Sequence, residues 1–131
     1  VPAMTARQSV VSRTLLCLAL LLALATGRGA LAEDATEREI DYLLGFVEKS
    51  GCIFVRNGAE HDSADAADHL RLKYSRGSRY VDSAEQFIDR LASESSWSGK
   101  LYTVICDGRT ETAGAWLHRA LADYRETADQ T

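Results

Sequence analysis

Proline occurs once in the 131 residues, at Pro2. The chain beyond it has no X–Pro bond, so its folding has no slow prolyl isomerisation phase. Long apolar runs are also scarce. The clearest is Leu15 to Ala25, shorter than the roughly 20 residues a membrane span needs. No second stretch is long enough to span a membrane. An excess of cations is missing too: 15 Lys and Arg stand against 19 Asp and Glu, a formal charge of −4. A chain of that balance makes a poor nucleic-acid partner. No internal repeat is evident along the sequence.

What is present begins with a targeting pattern. Arg7 and Arg13 precede the Leu/Ala-rich run, Gly27-Arg28-Gly29 breaks it, and Ala30-Leu31-Ala32 offers a small-residue cleavage site before Glu33. This is the layout of a secretory signal peptide. The expected organisation is a signal over residues 1–32, cleaved after Ala32, and a single small mature domain over 33–131 with its core at 37–125. An uncleaved anchor is the alternative. Cys17 lacks the small residue before it that a lipoprotein signal requires, so lipidation is not expected. Val1 ahead of Met4 is expected from an alternative or misplaced start codon. The expected localisation is periplasmic, with no stable membrane anchor once the signal is removed.

Cleavage removes three arginines and no acid, which takes the formal charge from −4 to −7. It also leaves two cysteines, Cys52 and Cys106, in an oxidising compartment. One intramolecular pairing is available, with two free buried thiols as the alternative. Cys52 opens Cys52-Ile53-Phe54-Val55-Arg56, a β-branched and aromatic run closed by Asn57-Gly58. Cys106 ends Leu101-Tyr102-Thr103-Val104-Ile105-Cys106, closed by Asp107-Gly108. Both read as strands ending in turn signals. Parallel pairing would put the two sulfurs at opposite ends, too far apart to bridge. A disulfide therefore selects antiparallel strands with Phe54 against Val104 and Arg56 against Tyr102 on one face. Ile53 against Ile105 and Val55 against Thr103 then fall on the other.

Four helices fill the rest. Thr36-x-x-Glu39 and Ser83-x-x-Gln86 read as capping boxes. Ile40, Leu43, Leu44 and Val47 form the inward stripe of a helix over residues 36–50. A second helix runs from Asp62 or Ser63 to Ser75, with Ala66, Leu70 and Tyr74 inward. A third runs to about Ser93 on Phe87, Ile88 and Leu91. A fourth spans about Thr112 to Arg125 on Trp116, Leu117, Ala120 and Leu121. The predicted order is α-β-α-α-β-α: a mostly helical α+β fold whose two-stranded antiparallel sheet is packed by helices and clipped by a Cys52–Cys106 disulfide.

Four ordered motifs carry a family resemblance: Phe54-Val55-Arg56-Asn57-Gly58, His69-Leu70-x-x-Lys73-Tyr74, Ala84-Glu85-x-Phe87-Ile88 and Glu94-Ser95-Ser96-x-Ser98-Gly99-Lys100-x-Tyr102. Together they resemble the YfeK-like family of short exported bacterial proteins, a domain of unknown function, over roughly Glu37 to Arg125. The resemblance implies a single periplasmic domain and supplies no activity, cofactor or catalytic residue. Family members typically read Gly-Lys-Pro-Tyr where this chain has Gly99-Lys100-Leu101-Tyr102, which makes the strand entry here less rigid.

The antiparallel register groups these motifs. Arg56, Asn57, Ser98, Lys100 and Tyr102 converge at the sheet edge opposite the disulfide, with Gly58, His69, Lys73, Ser96 and Gly99 as further candidates. Two cations beside hydroxyls and an amide suit an anionic or carbohydrate ligand, or an envelope protein. In the alternative reading Arg56 stacks on Tyr102 while Asn57 and Ser98 satisfy turn backbone. No nucleophile, base and orienter assemble, so no catalytic residue is assigned and a non-enzymatic binding module is the leading expectation. A Ser96 or Ser98 nucleophile beside Lys100, in a small hydrolase, would need that lysine buried. His61, Asp65 and His69 are spaced for one helix face but lack a fourth ligand, so neither metal nor other cofactor is expected. The remaining rival is an inhibitor-like or immunity-like protein acting on an envelope hydrolase. Ser98-Gly99-x-x-Tyr102 is similar to a loop pattern of periplasmic lysozyme inhibitors, although those are β-barrels.

Overall fold

The computed structural model describes residues 29–131. The chain divides into two units between Ala35 and Thr36. Most of the expected signal peptide, including its apolar run, lies outside the described residues. Residues 29–35 are helical and largely exposed. Thr36 therefore does not stand at a helix start as its capping-box pattern predicts, and its hydroxyl donates instead to the Asp82 carbonyl. No described helix is long and apolar enough to cross a membrane.

In the unit from Thr36 onward, helix α1 occupies residues 36–49. Its stripe of Ile40, Leu43, Leu44 and Val47 is buried, as the helical spacing predicts. Gly51, at φ +66°, turns the chain into strand β1 (Ile53–Arg56). Strand β2 (Ala59–His61) and helix α2 (Ser63–Gly77) follow. A short 3₁₀ turn, Ser78–Tyr80, leads to α3 (Ala84–Phe87), which widens into a π-helical segment over Ile88–Ala92. Strands β3 (Thr103–Cys106) and β4 (Arg109–Thr112) then lead into α4 (Ala113–Asp129).

The sheet has four strands, in the order β2-β1-β3-β4, all antiparallel. The central pair keeps the register deduced from the cysteines: Ile53 opposite Ile105, Phe54 opposite Val104 and Val55 opposite Thr103. The Cys52–Cys106 disulfide closes one end of that pair with the Cα atoms 4.8 Å apart. The expectation of two strands falls short because each turn signal is a two-residue hairpin. Asn57 and Gly58 have φ of 50° and 78°, and Asp107 and Gly108 have 51° and 76°. Positive φ at both central positions is the type I′ geometry, whose twist returns the chain along its own strand. The returning segments, Ala59-Glu60-His61 and Arg109-Thr110-Glu111-Thr112, are polar because they form the sheet edges.

The structure also corrects the view that the chain has no repeat. A ββα unit occurs twice, displaced by fifty positions. Strands β1 and β3 share one burial pattern, Asn57-Gly58 corresponds to Asp107-Gly108, and the helix N-caps Asp62 and Thr112 correspond. Each cap oxygen accepts from the backbone N–H three residues on. Few side chains coincide between the copies, so the repeat lies in backbone geometry and not in sequence identity.

One face of the sheet, carrying Cys52, Phe54, Tyr102 and Val104, is buried in the core with α2, α4 and the π segment. Trp116 packs between Phe46 and Phe54, at ring-centroid distances of 4.5 and 5.5 Å. The other face, with Ile53, Val55, Thr103 and Ile105, is half-buried, as one face of an antiparallel sheet often is.

Candidate functional site

The sheet end opposite the disulfide opens into a groove between α2 and the loop joining the π segment to β3. Arg56, the last residue of β1, lies on its floor with Tyr102. His69, Lys73 and Arg76 enter from α2, where spacings of four and three put them on one helix face. Ser95, Ser96 and Trp97 form the loop side.

Tyr102 ties these pieces together. Its ring is 6% exposed, so its hydroxyl needs partners inside the protein. The Lys73 ammonium donates to it at 3.2 Å and to the Glu94 carbonyl at 2.9 Å, while His69 Nε2 lies 3.4 Å from the same hydroxyl. The Lys73 nitrogen also sits 4.9 Å from the Tyr102 ring centroid. The cation above the ring is thus Lys73, not Arg56 as stacking of adjacent strands suggests, because α2 crosses directly over that strand end. Burial pushes the Tyr102 hydroxyl to a higher pKa, opposed by the nearby Arg56 charge. Burial lowers the Lys73 pKa. His69 is lowered by burial first, then by Arg56, Lys73 and His61.

The loop is held by a serine that the sequence reading passed over. Ser95 is the one buried polar residue among the described residues, and its Oγ accepts from Trp97 N, Ser98 N and Asn57 Nδ2 at 3.2–3.3 Å. The Ser98 hydroxyl donates to Asn57 Oδ1, fastening the loop to the first hairpin turn. Glu94 and Leu101 bridge across the loop base, and Gly99 turns at φ +71°. The signal that finds Ser95 is its place two residues before an exposed aromatic and three before a turn, where a hydroxyl can cap backbone N–H groups.

The sequence candidates therefore separate. Arg56, Asn57, His69, Lys73, Ser96 and Tyr102 line the groove. Ser98 and Gly99 shape the loop behind it, and Gly58 shapes the hairpin. Lys100 is exposed and does not line the groove; Lys73 holds the place its charge was expected to take. Arg76 and Trp97 join the set. The Trp97 indole is 91% exposed, although its backbone is pinned by Ser95. The Ser98 hydroxyl is bonded to the Asn57 amide and Lys100 is exposed, so Lys100 is not the buried lysine that a Ser96 or Ser98 nucleophile would need. His61 lies close enough to His69 to lower its pKa, but among the described residues no three His, Cys, Asp or Glu side chains form a metal-sized group.

The groove brings three cations and no acidic side chain onto one lining of an acidic chain. Among the described residues, Arg56, Lys73 and Arg76 form no salt bridge, a property they share with exposed cations such as Arg79, Lys100 and Arg109; what sets the three apart is that they line one opening. The second ββα unit gives an internal comparison. Fifty positions beyond His61 and His69 stand Glu111 and Arg119, which bind one another through both guanidinium nitrogens. In the groove half the corresponding positions are histidines, and Arg56, Lys73 and Arg76 line an opening where an anion could pair with them.

Comparison with known proteins places these residues in context. Residues 34–125 match the family described as Family of unknown function (DUF5329). The chain is 42% identical over 85 residues to the Uncharacterized protein YfeK of Salmonella typhimurium, covering 64% of this chain and 69% of that protein. No solved structure matches.

Proposed function

This chain belongs to the DUF5329 family of unknown function, and we propose that it is an exported, non-catalytic binding module whose groove takes an anionic ligand. The observation that carries the reading is the convergence of three cations, Arg56, Lys73 and Arg76, on the lining of one opening that includes no acidic side chain. Like charges gathered on one lining repel one another, and an anion bound among them would relieve that repulsion. Arg56 offers a planar fork for a carboxylate or phosphate, and Lys73 a point charge beside it. Two features support export: the signal-like N-terminus of the sequence and the disulfide of the fold, a bond that persists in oxidising compartments.

Calorimetric titration with citrate and with inorganic phosphate at low ionic strength tests the site. The expected result is binding to the wild type and at least about a tenfold loss in an Arg56→Gln, Lys73→Gln double variant that keeps its thermal transition. Equal binding by both proteins, or no binding by the wild type, overturns the assignment.

A further inference from the structure

We infer that the anion taken by this groove is borne on a sugar: the ligand class is an acidic saccharide, with Trp97 as the platform for a pyranose ring. The inference rests on the anion-binding reading above and adds the neighbour of the charge. An indole 91% exposed contributes almost nothing to the core. An aromatic left out in this way usually sits on a flexible tip, but this one does not. Its own backbone N–H and that of Ser98 donate to the buried Ser95 hydroxyl, Ser98 is tied to Asn57, and Glu94 bridges Leu101 at the loop base. The loop thus holds a flat apolar surface at the rim of a cationic groove without an ordering cost at binding.

The chemistry that uses such a rim needs both a flat C–H face and an acidic group within one or two ring widths. A pyranose bearing a carboxylate has both: the ring lies on the indole, the carboxylate pairs with Arg56 and Lys73, and a ring hydroxyl meets the exposed Ser96. A free inorganic anion would leave the indole unused. A nucleic-acid strand needs a run of stacking platforms and a basic surface, and the described residues offer one exposed indole on a chain of negative net charge.

Titration with hyaluronan hexasaccharide tests the inference against three controls: chitohexaose, which has the N-acetylated sugar without the carboxylate, citrate, and an oligothymidylate. Iodide quenching reports Trp97 selectively, because Trp116 is only 8% exposed. The acidic hexasaccharide is expected to shield Trp97 and to bind at least about tenfold more weakly to Trp97→Ala, with citrate binding the same in both proteins. Hexasaccharide binding unchanged by Trp97→Ala, or no tighter than citrate, overturns the saccharide inference and leaves the anion site standing. Chitohexaose binding as tightly, or oligothymidylate binding more tightly, also overturns it. Failure of citrate and hexasaccharide alike removes the anion reading with it.

Discussion

Cys52 and Tyr102 occupy equivalent places in the two ββα units: each is buried one residue before a central strand, and the two lie fifty positions apart. Opposite Cys52 stands Cys106, and the pair is covalent. The position opposite Tyr102 is that of Arg56, and the two line the groove. One end of the central strand pair is thus locked by a bond, while its counterpart is left open to solvent and ligand.

Removing the lock is expected to cost about 4 kcal/mol, since the disulfide spans 54 residues and loop-closure entropy grows with that length. For a domain of this size that is a fall in Tm of about 15 °C or more. Thermal melts of a Cys52→Ser, Cys106→Ser variant, and of the wild type with and without reductant, measure it. A shift of only a few degrees would mean the crosslink is incidental to the fold.

Two glycine substitutions separate backbone strain from packing. At Gly58, φ is +78° and a Cβ would meet no atom within 4 Å, so the cost of Gly58→Ala is conformational alone, about 1–2 kcal/mol. Gly45 also has open space, but it lies in the middle of α1, and Gly45→Ala is expected to stabilise by about 0.5–1 kcal/mol. Urea unfolding of the two variants should move the midpoint in opposite directions.

Ser95→Ala leaves three N–H donors around an empty acceptor position. The expected loss is about 1–3 kcal/mol, with faster hydrogen exchange at Trp97 and Ser98. Ser96→Ala, one residue along and exposed, should change neither quantity by more than about 0.5 kcal/mol. Amide exchange read by NMR distinguishes the two directly.

His69 sets an expected pH response. Burial, with Arg56, Lys73 and His61 nearby, holds its folded pKa below the ordinary 6.5. The unfolded chain therefore takes up the proton first, so stability is full above about pH 6.5 and falls as the pH drops toward the folded pKa. Urea midpoints between pH 7.5 and 5.5 should decline more steeply for the wild type than for His69→Gln. Glu48, Glu85 and Glu111, whose pKa values are lowered by arginine partners, act further down, below about pH 4.5. Parallel profiles for the two proteins would show that His69 is not the titrating group.

The central register was legible because it depends on period-2 alternation and on one covalent constraint, which the two cysteines left after the signal allow in a single way. The inner helix faces were legible for the same kind of reason: Ile40, Leu43, Leu44 and Val47 repeat at helical spacing. The outer strands were not. Ala59-Glu60-His61 has no apolar alternation, and its extended form is imposed by the positive φ of Asn57 and Gly58 two residues earlier. The repeat was hidden because its signature is a backbone path, with Phe54 in one copy answering Val104 in the other. At the site, Arg56, Lys73 and Tyr102 could be nominated from motifs. That α2 crosses over Tyr102, and so presents Lys73 in place of Lys100, is a tertiary fact with no local trace. Ser95 and Trp97 escaped for the opposite reason: a serine-rich loop looks featureless until its hydrogen bonds are known.

Because the Ser95 hydroxyl gathers the loop's amides from the inside, the main-chain path there owes nothing to the side chains at 96 and 97. Those two positions can be exchanged as a cassette. A library randomised at Ser96 and Trp97 alone would resurface the rim above a fixed cationic floor, which makes this loop a scaffold for evolving new selectivities.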